Sequence, residues 1–154
     1  MKKLFISAVV LIAFLISAAL SHAAALGTCL DTYASLSADK MVVTFTCTAS
    51  VDDASFPSTS TSATSLKGFY ITEVRTNPGT APTTGYDIVL NDSDGIDLMG
   101  GTLADRSATA SERAVPLLAT NWYGKTMIDG VVTLVITNNS VNSATVTVKV
   151  FLVK

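Results

Sequence analysis

Residues 85–101 read GYDIVLNDSDGIDLMGG, and the fold class turns on this stretch. Tyr86, Ile88 and Leu90 alternate with Asp87, Val89 and Asn91, the period-2 pattern of a strand with one buried face. The following Asn91-Asp92-Ser93-Asp94-Gly95 is turn chemistry, because Asn and Asp side chains bond their own backbone and Gly95 takes a positive φ without a Cβ clash. Ile96 and Leu98, interleaved with Asp97 and Met99, resume the alternation, so a β-hairpin is expected. The turn also offers Asp92, Asp94 and Asp97 close together, the kind of carboxylate set from which one loop collects calcium. The EF-hand spacing fails, since with Gly95 as the turn glycine the first ligand position falls on Leu90 and the last on Gly101. A solvated turn is the simpler reading, and calcium is the alternative.

Similar alternation recurs on both sides. Residues 66–76, LKGFYITEVRT, are strand-like by aromatic and β-branched content, and Asn77-Pro78-Gly79 turns the chain. Glu73 and Arg75 lie on one face as a solvated ion pair. Towards the C-terminus Val132, Leu134 and Ile136 alternate with threonines and Val135, residues 138–143 turn, and Val146, Val148, Val150 and Leu152 alternate again, which predicts a second hairpin. Residues 102–114 show no clear period, and Pro116 limits any helix there to a turn while permitting a short edge strand over 115–118.

At the other end, strands over 28–36 and 40–50 flank Ser37-Ala38-Asp39. A hairpin centred on Ala38 sets Cys29 opposite Cys47 and Tyr33 opposite Val43, close enough across an antiparallel pair for a disulfide. In the chain-entropy view such a closure contributes on the order of 3 kcal/mol. Between this hairpin and the rest, residues 51–65 (VDDASFPSTSTSATS) are small and hydroxyl-rich and read as a linker or surface loop. The expected organisation is a leader at 1–25, a disulfide hairpin at 26–50, the linker at 51–65 and a β-sandwich at 66–154.

The leader reading comes from Met1-Lys2-Lys3, the apolar run 4–20 and small residues at 21–25, which form a secretory signal peptide cleaved near Ala24 or Leu26. An oxidising destination follows: extracellular, cell-surface, or periplasmic in a Gram-negative bacterium. The whole chain has ten basic and twelve acidic side chains, a formal charge of −2; without Lys2 and Lys3 the balance is 8 to 12, or −4. Dispersed and net negative, this distribution disfavours nucleic acid and, after leader removal, anionic membranes as partners. The single histidine, His22, falls in the leader, so the mature chain has no imidazole base, Ser-His-Asp triad or histidine metal ligand. Glu73 and Glu112 are the only glutamates and nothing in the sequence brings them together, so no enzyme is expected.

About eight short strands with polar turns predict an all-β chain, an antiparallel β-sandwich of jelly-roll or Ig-like kind, with Ile88, Leu90, Leu134, Ile136, Val148 and Val150 in its core. Trp122, the only tryptophan, is expected to pack in that core; the alternative has Trp122 and Tyr123 exposed to stack on a sugar. From Gly68 onward, the Pro-rich approach to Tyr86-Asp87, the Asp94-Gly95-Ile96-Asp97 turn, Gly101, Arg106, Pro116 and the 138–144 turn resemble a family of small β-rich proteins from tailed-phage and prophage structural genes. The resemblance covers residues 68–154, implies a structural role and transfers no catalytic residues. The expected function is therefore an exported, non-enzymatic assembly subunit that contacts copies of itself or a larger particle. The alternative is a secreted module binding calcium or carbohydrate.

Overall fold

The computed structural model describes residues 26–62 and 66–154. The leader expected over 1–25, with His22, lies outside the described residues. Eleven strands are formed among the described residues: β1 (Thr28–Ser37), β2 (Lys40–Thr48), β3 (Thr59–Ser60), β4 (Tyr70–Pro78), β5 (Asp87–Asn91), β6 (Glu112–Ala114), β7 (Leu117–Ala119), β8 (Trp122–Tyr123), β9 (Thr126–Met127), β10 (Thr133–Thr137) and β11 (Thr145–Val153). The surplus over eight consists of strands of two or three residues, too short to show a period in sequence. Every pairing is antiparallel.

A six-stranded sheet runs β1-β2-β11-β4-β6, with β9 also on β4; a three-stranded sheet runs β3-β10-β5; and β7 and β8 form a small separate hairpin. The two larger sheets face each other across one core. Val43, Phe45 and Cys47 of β2, Ile71 and Val74 of β4, and Val146, Val148, Val150 and Leu152 of β11 meet Ile88 and Leu90 of β5 and Leu134 and Ile136 of β10. All six residues expected in the core are buried. The protein is an all-β antiparallel sandwich.

Two expected hairpins take another form. β10 and β11 are not partners: β10 pairs with β3 and β5, whereas β11 lies between β2 and β4. The 138–144 segment is thus an arch from one sheet to the other, which sets the apolar faces of β10 and β11 opposite each other. Asn139 braces the arch, donating to the carbonyls of Ala54 at 2.7 Å and Val141 at 2.9 Å and accepting from the Thr83 amide at 3.1 Å.

In the 85–101 stretch the outgoing strand is β5, but no return strand follows. Asp92 Oδ1 accepts the amides of Asp94 (2.9 Å) and Ile96 (2.8 Å), with Gly95 at φ +83° in the same turn. After a single bridge between Asn91 and Asp97, Asp97 accepts the amides of Met99 (2.9 Å) and Gly101 (2.6 Å). Capture of the amides two and four residues on by one carboxylate winds the chain into turns instead of a ladder. Ile96 is left 63% exposed, while Leu98, Met99 and Leu103 plug the core beside β5.

β1 and β2 form the expected hairpin in the expected register, Cys29 opposite Cys47 and Tyr33 opposite Val43. The hairpin belongs to the large sheet, since β2 pairs with β11 along its whole length. Part of the Ser/Thr-rich segment is also packed: Ala54, Phe56 and Thr61 are buried, and β3 pairs with β10.

The broken return strand makes a contrast in stability. Leu90→Ala should cost about 2–5 kcal/mol, as a truncation at a fully buried site does, whereas Ile96→Ala should stay within about 0.5 kcal/mol. Equal losses in urea unfolding of the two variants would show that Ile96 is a core residue after all.

Candidate interaction surfaces

The strand registers sort side chains onto two faces of the six-stranded sheet. Inward lie the core residues. Outward lie Leu30, Ala34 and Leu36 of β1, Thr44, Thr46 and Thr48 of β2, Thr145, Thr147, Lys149 and Phe151 of β11, Glu73, Arg75 and Asn77 of β4, and Arg113 of β6. This threonine-rich face is covered by no other element among the described residues. Its outer strand, β1, pairs with β2 alone, and Leu30 and Leu36 are 69% and 60% exposed.

Cys29 and Cys47 are disulfide-bonded across β1 and β2. The bond ties the edge strand to the sheet at the end remote from the hairpin turn. Asp31 makes a second tie: its carboxylate accepts from the Ser62 amide (2.7 Å) and hydroxyl (2.9 Å) and from the Tyr33 hydroxyl.

The acidic turn does not gather its carboxylates. Asp92 and Asp97 point back at their own backbone, as described above, and the Asp94 carboxylate is exposed and accepts no hydrogen bond among the described residues. No group of three His, Cys, Asp or Glu side chains among the described residues is placed to hold a metal ion.

Trp122 departs from expectation most. It is 74% exposed and Tyr123 is 65% exposed, so Trp122 is not a core residue. Both sit on β8, in a tight hairpin with β7 that turns through Asn121 at φ +64°. The hairpin stands on Gly100, where a Cβ would come within 2.2 Å of the Leu117 carbonyl oxygen. With the chain held this far out, the indole has nothing to pack against, and Phe45, Leu66, Tyr86 and Met99 supply the bulk of the core instead. An open groove of about 440 Å³ runs past Tyr123, between Thr102, Arg113 and Val115.

Sequence reasoning gave no sign of a buried polar cluster beneath residues 102–114. Tyr86 is fully buried; its carbonyl accepts the Arg106 amide at 2.8 Å, and the Arg106 carbonyl accepts the Gly85 amide at 3.0 Å. The Arg106 guanidinium lies 3.7 Å from Glu112, whose carboxylate also accepts the Ser107 amide at 2.6 Å. The hydroxyls of Tyr86 and Thr76 and one Arg106 nitrogen are buried without a hydrogen bond. The resemblance drew on Tyr86 and Arg106, and here they clamp the irregular 102–114 segment to β5. Burial pushes the Tyr86 phenol above its ordinary value of 10.0; the Glu112 carboxylate adds to this and Arg106 opposes it.

Two predictions follow from these environments. Asp92→Ala should cost about 1–3 kcal/mol by orphaning two amides, whereas Asp94→Ala should leave the melting temperature unchanged, with or without calcium; a calcium-dependent rise lost in Asp94→Ala would establish a metal loop instead. For Tyr86, a folded-state value above the unfolded one means that its contribution is fully present below pH 10 and is lost as the pH rises through the higher folded value. Tyr86→Phe should abolish that alkaline loss and stay within about 1 kcal/mol of the parent at pH 7, because the buried hydroxyl it removes has only the neighbouring Thr76 hydroxyl beside it. An unaltered alkaline limb in the pH dependence of unfolding would contradict the assignment.

No helix among the described residues is long and apolar enough to cross a membrane. No protein-family model matches the chain, and no curated protein does. Among solved structures, the chain is similar to one from the cyanophage Pam1 capsid asymmetric unit, at 18% identity over 88% of this chain and 91% of that one, with a TM-score of 0.39. An overlap of that degree carries no role across to this protein.

Proposed function

We propose that the protein is an exported, non-enzymatic structural subunit that associates with copies of itself in a surface, extracellular or phage-derived assembly. The observation that carries this reading is the outer edge of the six-stranded sheet. β1 is ten residues long and leaves one side of its backbone unpaired. Such an edge is a template for strand addition, which monomeric proteins block with Lys, Pro or a covering element. β1 contains no lysine, arginine or proline, and its one charge, Asp31, is tied to Ser62. Exposed Leu30 and Leu36 add apolar area beside the open edge. Export is supported by the leader-like residues 1–25 and by the Cys29–Cys47 bond, which an oxidising compartment sustains. A non-enzymatic role agrees with Arg106 and Glu112 being engaged with each other and with the backbone of residues 104–107 beside buried Tyr86.

Light scattering on purified protein across a concentration range, with negative-stain images of the same samples, tests the reading. The mass should rise with concentration, and the double variant Leu30→Lys/Leu36→Lys should stay monomeric while melting near the parent temperature. A parent protein that remains monomeric and forms no particles would sink the proposal. The function would then pass to ligand stacking at exposed Trp122 and Tyr123, the second reading that the β7–β8 hairpin favours.

A further inference from the structure

The uncovered face of the six-stranded sheet carries a row of cations. Register sets Lys149 of β11 directly beside Arg75 of β4, and Arg75 directly beside Arg113 of β6. Like charges opposed on neighbouring strands repel, and a sheet gains nothing in its own stability from such a row. One anion intervenes: Glu73 is ion-paired with Arg75 and lies 3.7 Å from Arg113. The Arg75 guanidinium rests over the Phe151 ring, 4.4 Å from its centre. Lys149 has no ion-pair partner among the described residues. Beside these cations is a groove of about 220 Å³ lined by Arg75, Asn77, Ser111, Thr147, Lys149 and Phe151. Cations, hydroxyls and an aromatic wall in an acidic chain suit a segment that brings a carboxylate and an apolar side chain together.

The chain supplies such a segment in its acidic turn. Asp94 stands at the tip of residues 92–96 with its carboxylate uncommitted, and Ile96 beside it is 63% exposed. Of the other exposed aspartates, Asp53 accepts from the Ser55 amide and hydroxyl, Asp52 is itself partnered, and Asp39 is followed directly by the cation Lys40; Asp129, close in sequence to exposed Met127, is a competitor that a charge reversal there distinguishes. We infer that the 92–96 turn of one copy docks in the cationic groove of the next, with Asp94 between Lys149 and Arg75 and Ile96 against Phe151. This rests on the reading of the protein as a self-associating subunit, and it names a second contact, distinct from the β1 edge. The turn leaves the end of β5 in the three-stranded sheet, whereas the groove lies on the outward face of the six-stranded sheet. A single such contact leaves a free groove on one copy and a free turn on the other, so it extends into rings or filaments unless two copies exchange turns about a twofold axis.

Charge reversal tests the contact on the purified protein. Lys149→Glu and Asp94→Lys should each raise the concentration needed for half-assembly at least tenfold, as should the milder Lys149→Ala and Asp94→Asn to a smaller degree. An equimolar mixture of Lys149→Glu and Asp94→Lys should recover assembly, because each variant then meets its complement; so should the double variant. Assembly of the parent should weaken with added salt, as exposed pairs do, and Asp129→Lys should behave like the parent. Should the parent assemble and the reversals assemble equally well, or the mixture fail to recover, this contact is overturned while self-association stands. Should the parent be monomeric throughout, both fall.

Discussion

The pairing of β11 on both sides is the constraint on which the rest of the structure depends. This strand ends one residue short of the C-terminus, yet it lies in the middle of the larger sheet, between β2 and β4. Its inward row of Val146, Val148, Val150 and Leu152 is buried against the opposing sheet, and both of its ladders join segments far apart in sequence. The β1–β2 hairpin therefore has no sheet to join until β11, far along the chain, pairs with β2. Long-range pairing of this kind carries a loop-closure cost before any ladder compensates it, which makes folding slow and late.

Around that sheet, short polar side chains do the turning. Asp92, Asp97 and Asn139 each satisfy two or more backbone groups, and the Asp97 carboxylate changes an expected strand into a core plug. Carboxylates engaged in this way are structural components, and the acidic look of residues 92–97 is mostly a consequence of what the backbone needs there. Asp94 is the exception in this turn, its carboxylate left to solvent.

The distribution of exposed groups separates the two sides of the molecule's larger sheet. Its inward side is mostly apolar, with Thr76 and Asp31 among its polar members, and its outward side combines an open edge strand, threonine rows and a cationic row that the sheet itself does not require. Stability alone asks for none of these outward features. The proposed contacts with another copy would use each of them, strand addition at β1 and charge pairing at Lys149 and Arg75. The exposed Trp122 hairpin lies apart from both, in the separate β7–β8 unit.

The sequence by itself determined the all-β class, the position of every long strand, the six central core residues and the Cys29–Cys47 register, because period-2 alternation and a tight turn are local properties of the chain. Alternation says which side of a strand is apolar, but it does not say whether that side meets a neighbour in the same sheet or a strand in the opposite one. For that reason β10 and β11, alike in pattern and joined by a turn, looked like a hairpin and proved to be an arch. Trp122 was misplaced for a related reason, since residue size suggests burial only where the backbone path leads inward, and Gly100 together with the β7–β8 turn leads it out. The Lys149–Arg75–Arg113 row was beyond sequence altogether. Its members come from three strands whose adjacency exists only once β11 has inserted beside β4 and β4 has paired with β6.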